Sequence, residues 1–169
     1  CDIEAALSIG MTTATQRSGA RAIAAGNCVS ARPLGGIDGI DMGYTGRVRK
    51  IDTESIRQRL DSGALVLISP LGHSLSGKTF NLSMGDIAEA AAIALAAEKL
   101  IYVVEQEGIL DEHGTLISNL SAQEARELLD NQRAQPNQRR LLQSAVNAVE
   151  KQVQRTQILS GRQDGSLIR

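Results

Sequence analysis

Two histidines, two cysteines, a serine group and a loop of acids are the residues of this chain best equipped for chemistry. His73 and His113 are far apart and fit neither H-x-x-x-H nor H-E-x-x-H, the spacings that put two imidazoles on one helix face around a metal. Ser69, Ser74 and Ser76 lie near His73, but no G-x-S-x-G elbow surrounds them, so a hydrolase triad is not indicated. Gly35, Gly36 and Gly39 lack the G-x-G-x-x-G spacing, between a strand and a helix, that cradles a dinucleotide. Glu105, Glu107, Asp111 and Glu112 follow an apolar, strand-like run. Ligands of open α/β sheets sit beyond the carboxyl ends of strands, so this cluster reads either as a cation-holding loop or as a solvated one. Cys1 and Cys28 make neither a disulfide framework nor, alone, a zinc site.

The chain of 169 residues is 42% apolar and 22% charged, the balance of one soluble globular domain. Its net charge of −1 argues against a nucleic-acid grip. Phe80, Tyr44 and Tyr102 are the only aromatics, too few for a base-stacking platform. No apolar run reaches the length of a membrane span, and the acidic start Cys1-Asp2-Ile3-Glu4 is unlike a secretory leader. A cytoplasmic protein is expected. The stretch 2–9 reads as the end of a helix already under way, and 165–169 as the start of an apolar element, so a segment of a longer chain is expected.

The periodicity then gives the elements that position these residues. One or two short strands are expected in 20–31, a glycine-rich loop in 34–46 and a half-exposed strand over 46–51. Asp52 caps a helix that Gly63 ends, and 64–68 is an apolar run suited to a strand buried on both faces. The stretch 70–79 reads as loop. Asn81 or Ser83 caps a largely buried helix over 84–99, followed by a buried strand at 100–104. A hairpin-like loop covers 108–115, and Ser121 with Glu124 forms a capping box for a helix ending near Asp130. A helix over 138–152 and a strand at 157–160 complete an α/β pattern with a mainly parallel sheet.

Specific residues carry a resemblance. They are Phe80-Asn81-Leu82-Ser83 running into Ala97-Glu98-Lys99-Leu100, then Gly108-Ile109-Leu110-Asp111. Upstream are Gly26-Asn27, Ala31-Arg32-Pro33-Leu34-Gly35, Asp38-Gly39-Ile40-Asp41, Gly46-Arg47-Val48-Arg49 and Leu60-Asp61-Ser62-Gly63-Ala64. Together they resemble the amino-acid kinase fold and, within it, the branch of acetylglutamate kinases and bacterial N-acetylglutamate synthases. The resemblance implies a three-layer αβα sandwich, of which this chain is the second part, with the acetyltransferase domain outside it.

The departures from the kinase pattern carry the functional reading. Phosphoryl transfer needs fixed charge around the transferring group. In the kinases resembled, an aspartate organises the site; its position here is Gly85, with Asp86 one step late and about 100° round the helix. A lysine that steadies the phosphates corresponds to Leu141, after Asn137-Gln138-Arg139-Arg140. No catalytic group and no metal site are therefore expected in this chain. The resemblance implies that the parent transfers acetyl from acetyl-CoA to L-glutamate in the first step of arginine biosynthesis, while this segment is a kinase-dead scaffold responsive to L-arginine. Asn81, Gln157 and Ser160 are the implied residues for arginine or a substrate-like ligand. The contact histidine of arginine-sensitive members falls at Gln157 and their contact glutamate one residue beyond Arg169, so this chain alone should bind arginine poorly. A homo-oligomer without nucleic-acid or membrane partners is expected. The alternatives are an acetylglutamate kinase using Asp86 with ATP and N-acetylglutamate, and a stand-alone amino-acid sensor. Lys78 reads as a solvated loop lysine or a ligand for an acidic substrate. Arg47, Arg49 and Lys50 read as an exposed strand face or a subunit contact.

Overall fold

The computed structural model describes residues 23–106, 108–136 and 138–162. The expected helix end at 2–9, the apolar stretch at 165–169, Glu107 and Asn137 lie outside the described residues. The chain divides into two compact units, Cys1–Leu82 and Ser83–Arg169.

In the first unit, the stretch 20–31 contains two strands, β1 (Ile23–Ala25) and β2 (Val29–Pro33). The expected loop at 34–46 contains a small hairpin, β3 (Gly36–Ile37) and β4 (Ile40–Asp41). Asp38 and Gly39 turn it at φ of 50° and 80°; two successive positive φ values favour an Asp-Gly pair, a signal the loop reading passed over. Strand β5 (Gly46–Ile51) pairs antiparallel with β2, with a bulge at Ser30/Ala31. Helix α1 (Thr53–Asp61) starts as expected, with the Asp52 carboxylate accepting from the Ser55 amide at 3.1 Å. Ile56 anchors it in the core, and Gly63 follows it at φ 80°.

Strand β6 (Leu65–Leu67) pairs in parallel with β1. It is shorter than the apolar run at 64–68 and half-buried along its length. Continuous apolarity predicts a strand there but does not fix how much covers it. The stretch 70–79, expected as loop, forms most of a hairpin of β7 (Leu71–His73) and β8 (Thr79–Asn81). Its five-residue connection is closed by the Ser74 hydroxyl, which accepts from the Lys78 amide at 3.1 Å. The sheet order is β5-β2-β7-β8, with only the β2–β7 contact parallel. Gly72 makes its core face possible: a Cβ there would lie 2.7 Å from Leu82 and 2.8 Å from Ala31.

In the second unit, Ser83 caps α2 (Met84–Leu95) and Asn81 does not. The helix stops at Leu95, short of Lys99, because Ala96 turns left-handed at φ 53° and Lys99 enters a strand ladder. Only Ile87 and Ala92 are buried on this helix, so its alanine run is less enclosed than its composition implies. Strand β9 (Lys99–Val104) buries Leu100 and Tyr102 and exposes Ile101 and Val103. It therefore buries one face, not two. Its parallel partner is β10 (Arg155–Ser160), in register from Lys99↔Arg155 to Val104↔Ser160. The parallel ladders β1–β6 and β9–β10 bear out the α/β class.

The loop at 108–115 is hairpin-like as expected, with a Leu110–Leu116 bridge. One Asp111 carboxylate oxygen accepts from the His113 and Thr115 amides, both at 2.8 Å. That acid serves its own turn. Helix α3 (Ala122–Asp130) has the full capping box: Ser121 accepts from the Glu124 amide at 3.2 Å and Glu124 accepts from the Ser121 amide at 2.8 Å. Helix α4 (Arg139–Glu150) is shorter than 138–152 and buries Leu142, Ala145, Val146 and Ala148. Its apolar stripe packs into two clusters, one with Ala92, Leu100, Tyr102 and Val153, the other with Ile109, Ala125 and Ala134.

Candidate functional site

The second unit gathers its chemistry at one end. Strands β9 and β10 are parallel, and α2 and α4 each precede one of them, so both helix N-termini meet both strand carboxyl ends. This end of an α/β ladder is where ligands bind. Gly85 and Asp86 occupy the first turn of α2, and Arg140 and Leu141 the first turn of α4.

Gly85 carries no functional side chain, and its carbonyl accepts from the Tyr102 hydroxyl at 3.4 Å. Space does not require a glycine there, since an added Cβ would approach nothing nearer than the Ser83 hydroxyl at 3.7 Å. Burial, and secondarily the nearby Glu89 charge, push the Tyr102 phenol up to about 12. It therefore stays a hydrogen-bond donor at neutral pH. The Asp86 amide is capped by Ser83 at 3.5 Å. Both Asp86 carboxylate oxygens accept from one Arg140 nitrogen, at 3.0 and 3.1 Å. The acid next to the vacated aspartate position is thus paired with an arginine from α4. Leu141 is half-buried and packs against the Ala92–Tyr102–Ala148 cluster. A second exposed ion pair, Glu105 with Arg162 at 3.5 Å, lies just past the strand ends. Among the described residues, no group of three or more His, Cys, Asp or Glu side chains is arranged to hold a metal ion.

Gln138 is the residue sequence reasoning missed. It is 2% exposed at the N-cap of α4, where it makes no capping bond. Its amide nitrogen donates to the Gly108 carbonyl and its amide oxygen accepts from the Leu110 amide, both at 3.0 Å. This clamp ties the segment after β9 to α4. The only sequence signal was a polar residue beside an apolar stripe, which reads equally well as exposed.

The implied ligand residues are not assembled together. Gln157 and Ser160 are three positions apart on one strand and so point to opposite faces. Gln157 is half-buried beside Ile101, on the face away from the helices. Ser160 is buried, and its hydroxyl accepts from the Arg162 amide at 3.3 Å. Asn81 belongs to the first unit, exposed on β8, with its amide donating to the Tyr44 carbonyl at 2.8 Å. Lys78 is exposed in the β7–β8 connection, and Arg47, Arg49 and Lys50 are exposed on β5.

Comparison with known proteins places this geometry. The profile of the amino acid kinase family matches residues 5–160. The chain belongs to the amino acid kinase family. It is 48% identical over 165 residues to the amino-acid acetyltransferase of Neisseria meningitidis serogroup B, covering 98% of this chain and 37% of that protein. Against the amino-acid acetyltransferase of Pseudomonas fluorescens the identity is 41%, over 98% of this chain and 38% of the relative. The chain thus spans under two fifths of the length of these relatives. Among solved structures, N-acetylglutamate synthase from Neisseria gonorrhoeae, complexed with coenzyme A and L-arginine, matches with TM-score 0.88 and 48% identity. That match covers 98% of this chain and 38% of the other. Carbamate kinase from Giardia lamblia shares the fold, at TM-score 0.61 and 14% identity, over 73% of this chain and 44% of that one. The branch read from Phe80 to Asp111 and from Gly26 to Ala64 is therefore borne out, and this member of the family has no acid at position 85 and no cation at position 141.

Proposed function

We propose that this chain is a region of the kinase-like domain of an N-acetylglutamate synthase. The parent protein transfers acetyl from acetyl-CoA to the α-amine of L-glutamate, the entry step of arginine biosynthesis, and this region serves as a scaffold that answers to L-arginine. The observation that carries the reading is 48% identity, over almost the whole chain, to an N-acetylglutamate synthase crystallised with coenzyme A and L-arginine. The site geometry supports the absence of phosphoryl transfer. Leu141 supplies no charge, Gly85 supplies no acid, and Asp86 is held by Arg140. An acetylglutamate kinase would need that acid free to organise its phosphates.

In this reading acetyl-CoA and L-glutamate are bound outside these 169 residues, and L-arginine is the effector. Asn81, Gln157 and Ser160 are its proposed contacts here. Gln157 and Ser160 serve different faces of β10, so one ligand uses one of them. Copies of the chain associate with one another, in the cytoplasm. Among the described residues, no helix is long and apolar enough to cross a membrane.

The test has two arms. This chain, given ATP, magnesium and N-acetylglutamate, should release no ADP above a protein-free blank; turnover overturns the kinase-dead reading. The full-length protein carrying the chain should release coenzyme A from acetyl-CoA only when L-glutamate is present, and L-arginine should change that rate. Coenzyme A release independent of glutamate would overturn the synthase reading.

A further inference from the structure

The first unit carries a group of exposed cations without an ion pair among the described residues. Arg32 on β2 is the register partner of Arg47 on β5, so both leave the same face of the sheet about 5 Å apart. Lys50 extends the row opposite Ser30. All three are exposed, and no described carboxylate pairs with any of them. Like charges set directly across a ladder are destabilising. Cations on an edge strand have an ordinary use, which is to discourage pairing with another edge. That accounts for Arg47 and Lys50, because β5 is the edge of its sheet. It does not account for Arg32, which lies on an interior strand opposite Arg47 and has no ion pair among the described residues.

The complement lies on the same polypeptide. Helix α3 exposes Glu124, Glu127 and Asp130 at successive three-residue steps, which places neighbours about 5–6 Å apart along one face. Here too like charges are adjacent. The cation on that helix, Arg126, is bonded to Glu150 at 2.9 Å and more weakly attracted by Asp130, which leaves Glu124 and Glu127 as the adjacent like charges. Counted over the chain, the first unit holds nine Lys and Arg against seven Asp and Glu, a net +2, and the second nine against twelve, a net −3.

We propose that Arg32, Arg47 and Lys50 of one copy dock on Glu124, Glu127 and Asp130 of a second copy. The signs are opposite, the Arg32–Arg47 separation of about 5 Å is close to one step of the acid row, and docking relieves the repulsion between the two arginines. The contact is head-to-tail, since the two surfaces differ. It rests on the self-association in the proposed reading and not on its chemistry.

The experiment is sedimentation equilibrium of the 169-residue chain at low salt and at about 1 M salt, where the screening length falls to about 3 Å. The wild type should sediment as a multiple of 18.0 kDa at low salt and lighten at high salt. Arg32→Glu with Arg47→Glu should lower the mass toward 18.0 kDa, as should Glu127→Arg with Asp130→Arg. An equimolar mixture of the two reversed proteins should regain the assembly, which misfolded variants would not do. If the wild type assembles but neither reversal nor salt lowers its mass, this contact is wrong and self-association stands. A wild type that stays at 18.0 kDa at every concentration and salt overturns both.

Discussion

Replacing Gln138 with leucine should destabilise the second unit by about 3 kcal/mol. The side chain is 2% exposed and satisfies two backbone groups, the Gly108 carbonyl and the Leu110 amide. Leucine has similar bulk and no polar atoms, so both groups would be left unpaired. An unsatisfied buried group costs about 1–3 kcal/mol, and the apolar gain of leucine offsets part of the pair. With a urea slope of about 2 kcal/mol/M, the midpoint should fall by roughly 1.5 M. The assay is urea unfolding followed by far-UV circular dichroism.

A second substitution tests the geometry and not merely the burial. Gln138→Glu preserves shape but at neutral pH presents only acceptors, one of them to the Gly108 carbonyl. Protonated, the same carboxyl donates to Gly108 and accepts from Leu110, as the amide does. Its folded-state pKa must therefore rise above the unfolded value. A raised pKa means the folded state binds more protons, so its stability relative to wild type is greatest below the unfolded pKa and is lost as pH rises through the folded one. The glutamate variant should thus approach wild type near pH 4 and fall away by pH 7, whereas the leucine variant stays low at both. A leucine variant within about 0.5 kcal/mol of wild type, or a glutamate variant with no recovery in acid, would refute the clamp.

Two glycines should behave in opposite ways. Gly72→Ala places a Cβ 2.7 Å from Leu82 and 2.8 Å from Ala31; such overpacking costs about 1–3 kcal/mol and should lower the melting temperature. Gly85→Ala meets nothing nearer than 3.7 Å in a helical turn, so it should raise stability by about 0.5–1 kcal/mol in the same thermal melt. Tyr102 predicts a pH effect. In a Tyr44→Phe background its phenolate absorbance should appear near pH 12 and not near 10. The raised folded value means stability holds below the unfolded pKa of 10.0 and is lost as pH climbs toward 12. Ionisation near pH 10 would contradict the buried position on β9.

Signals carried by neighbouring residues are legible in this sequence, and those that depend on distant partners are not. Asp52, Ser83 and Ser121 cap helices through their own next turn, so the motif contains its cause. Asn81 also looked like a cap, but pairing of β8 with β7 holds it in a strand. The Asp38-Gly39 hairpin was a local signal that went unread. The end of α2 was not local, because β10 draws Lys99 into a ladder. The alternation on β9 was hidden because every residue from Leu100 to Val104 is apolar or aromatic. Only the packing of α2 and α4 on one side distinguishes buried Tyr102 from exposed Val103.

Composition, caps and apolar runs are properties of neighbouring residues, and they sufficed for the α/β class. The residue types at Gly85 and Leu141 likewise needed only the chain, because a missing charge is absent in any conformation. What became of the charges that remain depended on the tertiary structure. Asp86 meets an arginine 54 positions away, and Gln138 clamps a segment 28 positions away. Gln157 and Ser160 separate because strand pleating turns them to opposite faces of β10. Pairings of this kind are made by packing helices against a ladder, and no short window of sequence contains both partners.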